Sequence, residues 1–157
     1  MKKIMFVCHG NICRSPMAEM IFNHLAESFG LQNELKAFSS ATSYEETGNP
    51  VYPPAKKVLA KNNIPFKEHH AAKLYPQDYE KYDMFIVMDQ NNLRNIGRIF
   101  TSDPEGKIHK LLSFSGSDAD VSDPYYSGDF DRAFSDIYKG VNALISYLEQ
   151  KPQTKKG

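Results

Sequence analysis

Apolar and polar positions form two kinds of block along the chain, and the blocks predict strands and helices in alternation. Short apolar runs bounded by turn residues predict strands at residues 3–8, 35–40, 84–88 and 108–112. The run at 84–88 is apolar at every position, which is typical of a parallel strand covered on both faces. The run at 35–40 is the weaker pattern, and the run at 108–112 is shorter than a typical strand.

Apolar residues at helical spacing predict a helix after each of these strands. In the first helix Ser15 is the predicted N-cap, Pro16 takes the first helical position, and Gly30 ends the run. Further helices are predicted from Pro53 to the Asn62–Asn63 pair, around Leu93 and Ile96, and over 129–149. Residues 113–128 read as a long polar loop, which is uncommon unless it is functional.

The alternation predicts an α/β fold of three layers, Rossmann-like, with a four-stranded parallel sheet and helices on both faces. We expect one domain over residues 1–150 and a flexible tail over 151–157, which has no apolar residue. Ligands of such sheets bind beyond the carboxyl ends of the strands. The first strand ends at Cys8 and the third is followed by Asp89, so both residues are predicted to lie at the site edge.

Composition narrows the function classes. The 157 residues carry 19 basic and 19 acidic side chains, so the balance offers no support for a nucleic-acid binder or a polybasic membrane-surface protein. No apolar run is long enough for a signal peptide or a membrane span, and we expect a cytoplasmic protein with no membrane contact. Cys8 and Cys13 are the two cysteines, which excludes a disulfide scaffold and indicates a reactive site in a reducing compartment.

The segment from Cys8 to Ser15 has the residue types of an anion site. A tight loop that leads into a helix N-terminus presents free backbone N–H groups and a positive dipole end. Gly10 and Asn11 tolerate the positive φ that such a loop needs. Helix N-termini and neighbouring cations stabilise a thiolate, and the fork of Arg14 matches two phosphate oxygens.

These residues resemble the phosphate-binding loop of the low-molecular-weight protein tyrosine phosphatases. The loop is Cys-x5-Arg followed by Ser15, and the family's acidic motif matches Asp123-Pro124-Tyr125-Tyr126. The likeness continues through residues 39–43, 48–50, 69–71 and 87–89, and so covers nearly the whole chain.

The resemblance implies a phosphotyrosine phosphatase that also hydrolyses small aryl phosphates through a phosphocysteine. Cys8 would be the nucleophile, Arg14 would bind the phosphate and stabilise the transition state, and Asp123 would be the general acid and later the base. It implies a phosphotyrosine protein as substrate, a phosphate or other oxyanion in the loop, no metal and no cofactor, and we expect a monomer.

Supporting roles follow from the same resemblance. The phosphate-binding loop would comprise His9, Gly10, Asn11, Ile12, Cys13 and Ser15. Asn11 and Ser15 would hold the loop and its thiolate, with Ser39 and His69 behind Asn11, and Asp89 would support the loop. The substrate pocket would be formed by Tyr125, Tyr126, Tyr44 and Glu45.

Alternatives remain open on the same fold. An arsenate reductase needs further cysteines in a later segment, and the chain has none after Cys13. The resemblance suggests that protein-arginine phosphatases carry Thr at the position of Ile12. A phosphopeptide-binding module would lack the nucleophile or the acid. Cys13 is either a structural loop residue or a reversible disulfide partner of Cys8, and Asp89 is also read as a plain N-cap.

Overall fold

The computed structural model describes residues 1–150, so the predicted tail at 151–157 lies outside the described residues. Its sheet has four parallel strands in the order β2-β1-β3-β4, and the predicted sheet is confirmed. The strands are β1 (Lys2–Cys8), β2 (Leu35–Ala41), β3 (Met84–Val87) and β4 (Ile108–Lys110).

Five α-helices accompany the sheet, and two short 3₁₀ helices lie between them. They are α1 (Arg14–Ser28), α2 (Pro53–Lys61), α3 (Gln90–Ile99), α4 (Pro124–Ser127) and α5 (Phe130–Gln150), with 3₁₀ helices at Pro76–Glu80 and Leu111–Ser115.

Three local predictions are wrong. The N-cap of α1 is Cys13, because Ser15 already lies inside the helix and turns its hydroxyl to Cys8 instead. The strand predicted over 108–112 stops at Lys110, since a 3₁₀ helix turns Leu111 and Leu112 into the core. The polar stretch 113–128 contains α4, whose first residue is a proline that needs no N–H partner there.

The sheet is buried on both faces, as a three-layer fold requires. Ile4 and Phe6 of β1 face the core shared with α1, α2 and α5, whereas Met5 and Val7 face the core that contains Ile96 of α3. Successive strand residues point to opposite faces, so β1 supplies both cores. The α5 helix approaches closely at Gly140, where a Cβ would lie 2.6 Å from Leu111 Cγ.

This layering brings the carboxyl ends of the strands to one edge. There β1 passes into the loop that leads to α1, and the backbone N–H of Thr42, after β2, bonds to the carbonyl of Cys8 over 3.0 Å. At the same edge β3 leads through Asp89 into α3. The edge therefore collects the polar residues that the sequence places after different strands.

Candidate active site

The loop between β1 and α1 is held in shape by Asn11, which is fully buried and has a φ of 62°. Its amide oxygen accepts hydrogen bonds from His69 Nε2 at 2.9 Å and from the backbone N–H of Ala72 at 3.1 Å. Its amide nitrogen donates to Ser15 Oγ over 2.8 Å. A non-glycine residue in the left-handed region persists where surrounding contacts over-determine it, and three hydrogen bonds do so here.

The sulfur of Cys8 lies within this loop and is almost completely buried. The backbone N–H of Asn11 donates to Sγ at 3.3 Å, and Ser15 Oγ lies 3.0 Å from Sγ. Because Ser15 Oγ already accepts from Asn11, its proton is free to point at the sulfur. Both donors favour a negatively charged sulfur, and so does the N-terminus of α1.

Arg14, the first residue of α1, is buried with its guanidinium directed at three acceptors. Nη1 donates to Asp89 Oδ2 and to the carbonyl of Val121, both at 2.7 Å, and Nη2 lies 3.4 Å from Asp123 Oδ2. Burial by itself would lower the pKa of Arg14. The negative charges of Cys8, Asp123 and Asp89 outweigh burial and raise that pKa above its ordinary value. The guanidinium is therefore a permanent cation.

Asp123 stands where the polar segment after β4 returns to the site. Its carboxylate accepts from the backbone N–H of Tyr125 at 3.1 Å and so caps α4, while the other oxygen faces Arg14. Two residues earlier, the N–H of Val121 donates to the carbonyl of Met88 over 2.9 Å. This bond fastens the Asp123 segment to the end of β3.

A second anchor of the same segment lies at Asp120. Its Oδ1 accepts from the backbone N–H of Gln90 at 3.1 Å and pairs with Lys110 Nζ at 2.7 Å. Lys110 also donates to the carbonyl of Asp118 over 2.8 Å. The segment is thus tied to the end of β4 and to the start of α3.

A cavity of about 250 Å³ opens above the sulfur. The ring of Tyr125 forms an aromatic part of the wall. Tyr52 lies behind that ring, outside the lining, with its ring centroid 5.2 Å from that of Tyr125 and 6.1 Å from that of Phe130. Tyr126 is mostly exposed at the rim. The lining residues are Cys8, His9, Gly10, Asn11, Ile12, Cys13, Arg14, Glu45, Glu46, Asp123, Tyr125 and Tyr126.

Most of the residues selected from the sequence come together in or directly behind this cavity, but two take other positions. Tyr44 lies outside the cavity lining, exposed, with its ring 6.3 Å from that of Tyr75. Ser39 donates to Glu19 Oε1 over 2.6 Å and lies 3.4 Å from His69 Nε2, so it reaches Asn11 only through that histidine. Asp89 combines both readings, since it pairs with Arg14 and caps α3 through Asn92 N–H.

Sequence reasoning missed several contributors. The carbonyl of Val121 carries no side-chain signal, and Tyr52 was visible only as an aromatic residue before two prolines. Glu19 stands on the inner face of α1, where burial raises its carboxyl pKa although the hydrogen bond from Ser39 opposes that rise. Glu46 was detectable as the neighbour of Glu45.

Cys13 is a buried free thiol that contributes to the lining of the cavity. Burial raises the pKa of Cys13 far above its ordinary value, and the negative charges of Cys8 and Asp123 add to the rise. The two cysteines therefore have different chemistry, because within residues 1–150 donors are directed at the sulfur of Cys8 and none at that of Cys13. Within residues 1–150 no group of His, Cys, Asp and Glu side chains could hold a metal ion.

Comparison with known proteins points in one direction. The family model described as "Low molecular weight phosphotyrosine protein phosphatase" matches residues 3–154. The low molecular weight protein-tyrosine-phosphatase YfkJ of Bacillus subtilis is 36% identical over 98% of this chain and 99% of its own. PtpA of Staphylococcus aureus strain MRSA252, of the same description, is 35% identical over the full length of both chains.

Solved structures agree with these sequence matches. The crystal structure of YfkJ superposes with a TM-score of 0.93 at 35% identity and covers 98% of each chain. The low molecular weight protein tyrosine phosphatase SP-PTP of Streptococcus pyogenes superposes with a TM-score of 0.86 at 30% identity and covers 99% of each chain.

Within the described residues, no helix has the length and apolar character needed to cross a membrane.

Proposed function

The chain belongs to the low molecular weight phosphotyrosine protein phosphatase family, and we propose that it hydrolyses phosphotyrosine and small aryl phosphates through a phosphocysteine on Cys8. One observation carries the assignment of roles. A sulfur that receives hydrogen bonds from Asn11 and Ser15 shares a cavity with Arg14 and Asp123. These are the nucleophile, the cation and the proton donor that phosphoryl transfer from an aryl ester needs.

In the first step the Cys8 thiolate attacks phosphorus, and the bond between phosphorus and the phenolic oxygen breaks. Asp123 gives its proton to that oxygen, so the product leaves as a neutral phenol. Two N–H groups of Arg14 bind the equatorial phosphate oxygens, and the backbone N–H groups of the loop bind the remainder. Asp89 holds the guanidinium by the edge that faces away from the substrate.

In the second step water replaces sulfur on phosphorus. The Asp123 carboxylate takes a proton from the water, whose oxygen attacks the phosphocysteine, and the bond between sulfur and phosphorus breaks. Inorganic phosphate leaves, and the electron pair returns to Cys8 as a thiolate. The Ser15 hydroxyl, 3.0 Å from Sγ, stabilises the departing sulfur. Since Cys8 is again a thiolate and Asp123 again carries a proton, the step returns the enzyme to its starting state.

The cavity walls favour an aryl ester over a shorter aliphatic one. The sulfur lies at the base of the cavity, and the ring of Tyr125, backed by Tyr52, lines the wall above it. A phenyl ring spans that depth and packs edge or face against tyrosine rings, whereas a serine phosphate is too short to place its backbone outside. The absence of cysteines after residue 13 in the sequence speaks against arsenate reduction.

Cys8→Ser tests the assignment. The variant is expected to lose turnover of an aryl phosphate and of a phosphotyrosine peptide, because a serine hydroxyl stays protonated at this position. It is expected to keep binding vanadate or inorganic phosphate, since Arg14 and the loop amides are unchanged. Normal turnover by this variant would refute the proposal. Release of arsenite in a thioredoxin-coupled assay, or faster cleavage of phosphoarginine than of phosphotyrosine, would assign a different activity on the same loop.

We further propose that the enzyme works as a monomer in the cytoplasm. One chain supplies all the groups of the cavity, and its free thiols suit a reducing compartment. Sedimentation at micromolar concentration and cell fractionation test these two statements.

A further inference from the structure

The carboxylate of Glu46 is electrostatically out of place in an anion-binding cavity. Glu46 lines the cavity whose base holds Cys8 and Arg14. The side chain is fixed there, because Asn49 Nδ2 donates to Oε1 over 2.8 Å. Its Cγ would lie 3.2 Å from a Cβ placed on Gly10, so the glutamate rests directly against the loop. No ion pair is formed by Glu46 within the part of the chain that the structure describes.

Its neighbour Glu45 adds a second carboxylate to the same wall. Glu45 is largely exposed and lies 3.2 Å from Nε2 of His9, which is itself half exposed. The mouth thus carries Glu45, Glu46 and Asp123 against a histidine that is cationic only when protonated. The permanent cation, Arg14, is buried below them.

The carboxylates of Glu45 and Glu46 repel the dianion that the base of the cavity attracts. Charges around a cleft act on an approaching ligand over several ångströms, so the mouth slows and weakens the binding of a bare phosphate ester. The hydrolytic steps derived above make no use of Glu45 or Glu46. A substrate that presents a positive charge beside its phosphate would turn the repulsion into attraction.

We propose that Glu46, together with Glu45, selects phosphotyrosine flanked by lysine or arginine. The inference rests on the proposed phosphotyrosine phosphatase function and names its substrate class. The lysine or arginine of the substrate pairs with the carboxylate of Glu46, while the phosphate of the substrate binds Arg14. Selection then arises from charge at the rim, independently of the aromatic wall that receives the ring.

Three phosphotyrosine peptides test this, identical except that both neighbours of the phosphotyrosine are Lys, Gln or Glu. At low ionic strength kcat/KM is expected to fall in that order by about tenfold across the series, and added salt should compress the range. Glu46→Gln keeps an acceptor for Asn49 and removes only the charge. The double variant Glu45→Gln/Glu46→Gln is expected to reduce the range to about twofold, and Glu46→Lys to reverse the order.

Glu34→Gln is the matched control, since this exposed residue precedes β2 at the opposite edge of the sheet and its loss changes net charge equally. Glu34→Gln should leave the range as in the wild type. A second readout is p-nitrophenyl phosphate, which has no flanking residue: Glu46→Gln should raise its kcat/KM about twofold by removing repulsion.

The outcomes separate the two proposals. Hydrolysis of all three peptides at equal rates would overturn the charge selection and leave the phosphatase function standing. An unchanged range in the double variant would equally overturn the assignment to Glu45 and Glu46. Failure to cleave any of the peptides, with p-nitrophenyl phosphate still hydrolysed, would contradict both proposals, because each needs phosphotyrosine peptides as substrates.

Discussion

The guanidinium of Arg14 donates from Nη1 to Oδ2 of Asp89 over 2.7 Å, although the two residues are 75 positions apart. The other oxygen of the same carboxylate accepts from Asn92 N–H at 2.7 Å and begins α3. One side chain therefore serves two elements, the helix start after β3 and the arginine of the phosphate loop. The direction of the guanidinium depends on where α3 begins.

Substitution of Asp89 should separate these two roles. In Asp89→Asn the amide oxygen can still cap α3, but the amide nitrogen cannot accept from Arg14. We expect kcat/KM for an aryl phosphate to fall about tenfold or more, because a charge-assisted bond that orients the guanidinium is lost. Asp89→Ala should lose as much activity and in addition about 1 kcal/mol of stability from the missing cap. Steady-state kinetics and chemical unfolding of both variants check this, and equal stability losses would contradict the capping role.

The loss of kcat/KM in Asp123→Asn should be larger for substrates whose leaving group is more basic. We expect kcat/KM for phenyl phosphate to fall about 10²- to 10⁴-fold, because the phenolate then leaves without a proton. A nitrophenyl ester, whose phenolate is stable, should lose much less. Equal losses on the two esters would move the proton donor to another group.

Lys110 should act on catalysis through the segment that carries Asp123. Its ammonium bonds to Asp118 and Asp120, so Lys110→Met releases that anchor. We expect the same pattern as in Asp123→Asn with a smaller amplitude: kcat/KM for phenyl phosphate should fall several times more than kcat/KM for a nitrophenyl ester. Lys110→Arg should restore most of the difference.

A matched control for Lys110 exists at the surface. Lys61 pairs with Asp131 at 2.9 Å, and both side chains are mostly exposed. Lys61→Met removes an ion pair of similar length and should leave the ratio of the two substrates at its wild-type value. A Lys110→Met variant that slows both substrates equally would show that the lysine only stabilises the fold.

The two thiols should differ in alkylation. Since burial and the charges of Cys8 and Asp123 keep the pKa of Cys13 high, we expect iodoacetamide at pH 7–8 to modify Cys8 first. Inorganic phosphate should protect Cys8 by occupying the loop. Peptide mapping by mass spectrometry measures this, and the Cys8→Ser variant shows the background at Cys13. Equal modification of both cysteines would contradict the inertness of Cys13.

The loss of folding stability at acidic pH should depend on Asp103, which lies away from the active site. Burial would raise the pKa of Asp103, but hydrogen bonds from the Tyr79 hydroxyl and the backbone of Lys107 and Ile108 outweigh it and lower that pKa. A carboxyl with a lowered pKa stabilises the fold while it is ionised. This contribution is present above about pH 4 and disappears as the pH falls through the lowered pKa.

Thermal melts of Asp103→Asn between pH 3 and 7 check this. The variant is expected to lose less melting temperature than the wild type as the medium is acidified, because its amide does not titrate. The activity of the variant at pH 7 should equal that of the wild type, because Asp103 does not line the cavity. The exposed Asp131→Asn serves as the control and should follow the wild type. A variant that follows the wild-type pH dependence would exclude Asp103 as a cause of the loss of stability at acidic pH.

Local pattern determined much of this protein. The order of strands and helices follows from apolar runs and helical spacing, because burial of these faces leaves few other arrangements. The Cys8 to Ser15 segment carried its chemistry in its residue types, since a thiol, a flexible turn and an arginine next to a helix start interact over a few positions. The pairing of that loop with Asp123 was readable as a second motif.

Tertiary structure decided what depends on distant contacts. Ser15 as an N-cap satisfies local rules, but in the folded chain its hydroxyl accepts from Asn11 and points at Cys8, and the helix begins earlier. Tyr44 and Glu46 both adjoin Glu45 in the sequence, yet of these two Glu46, in the turn that Asn49 closes, lines the cavity and Tyr44 does not. The carbonyl of Val121 binds Arg14 whatever side chain stands there. Such contacts join residues far apart in sequence, so no local pattern encodes them.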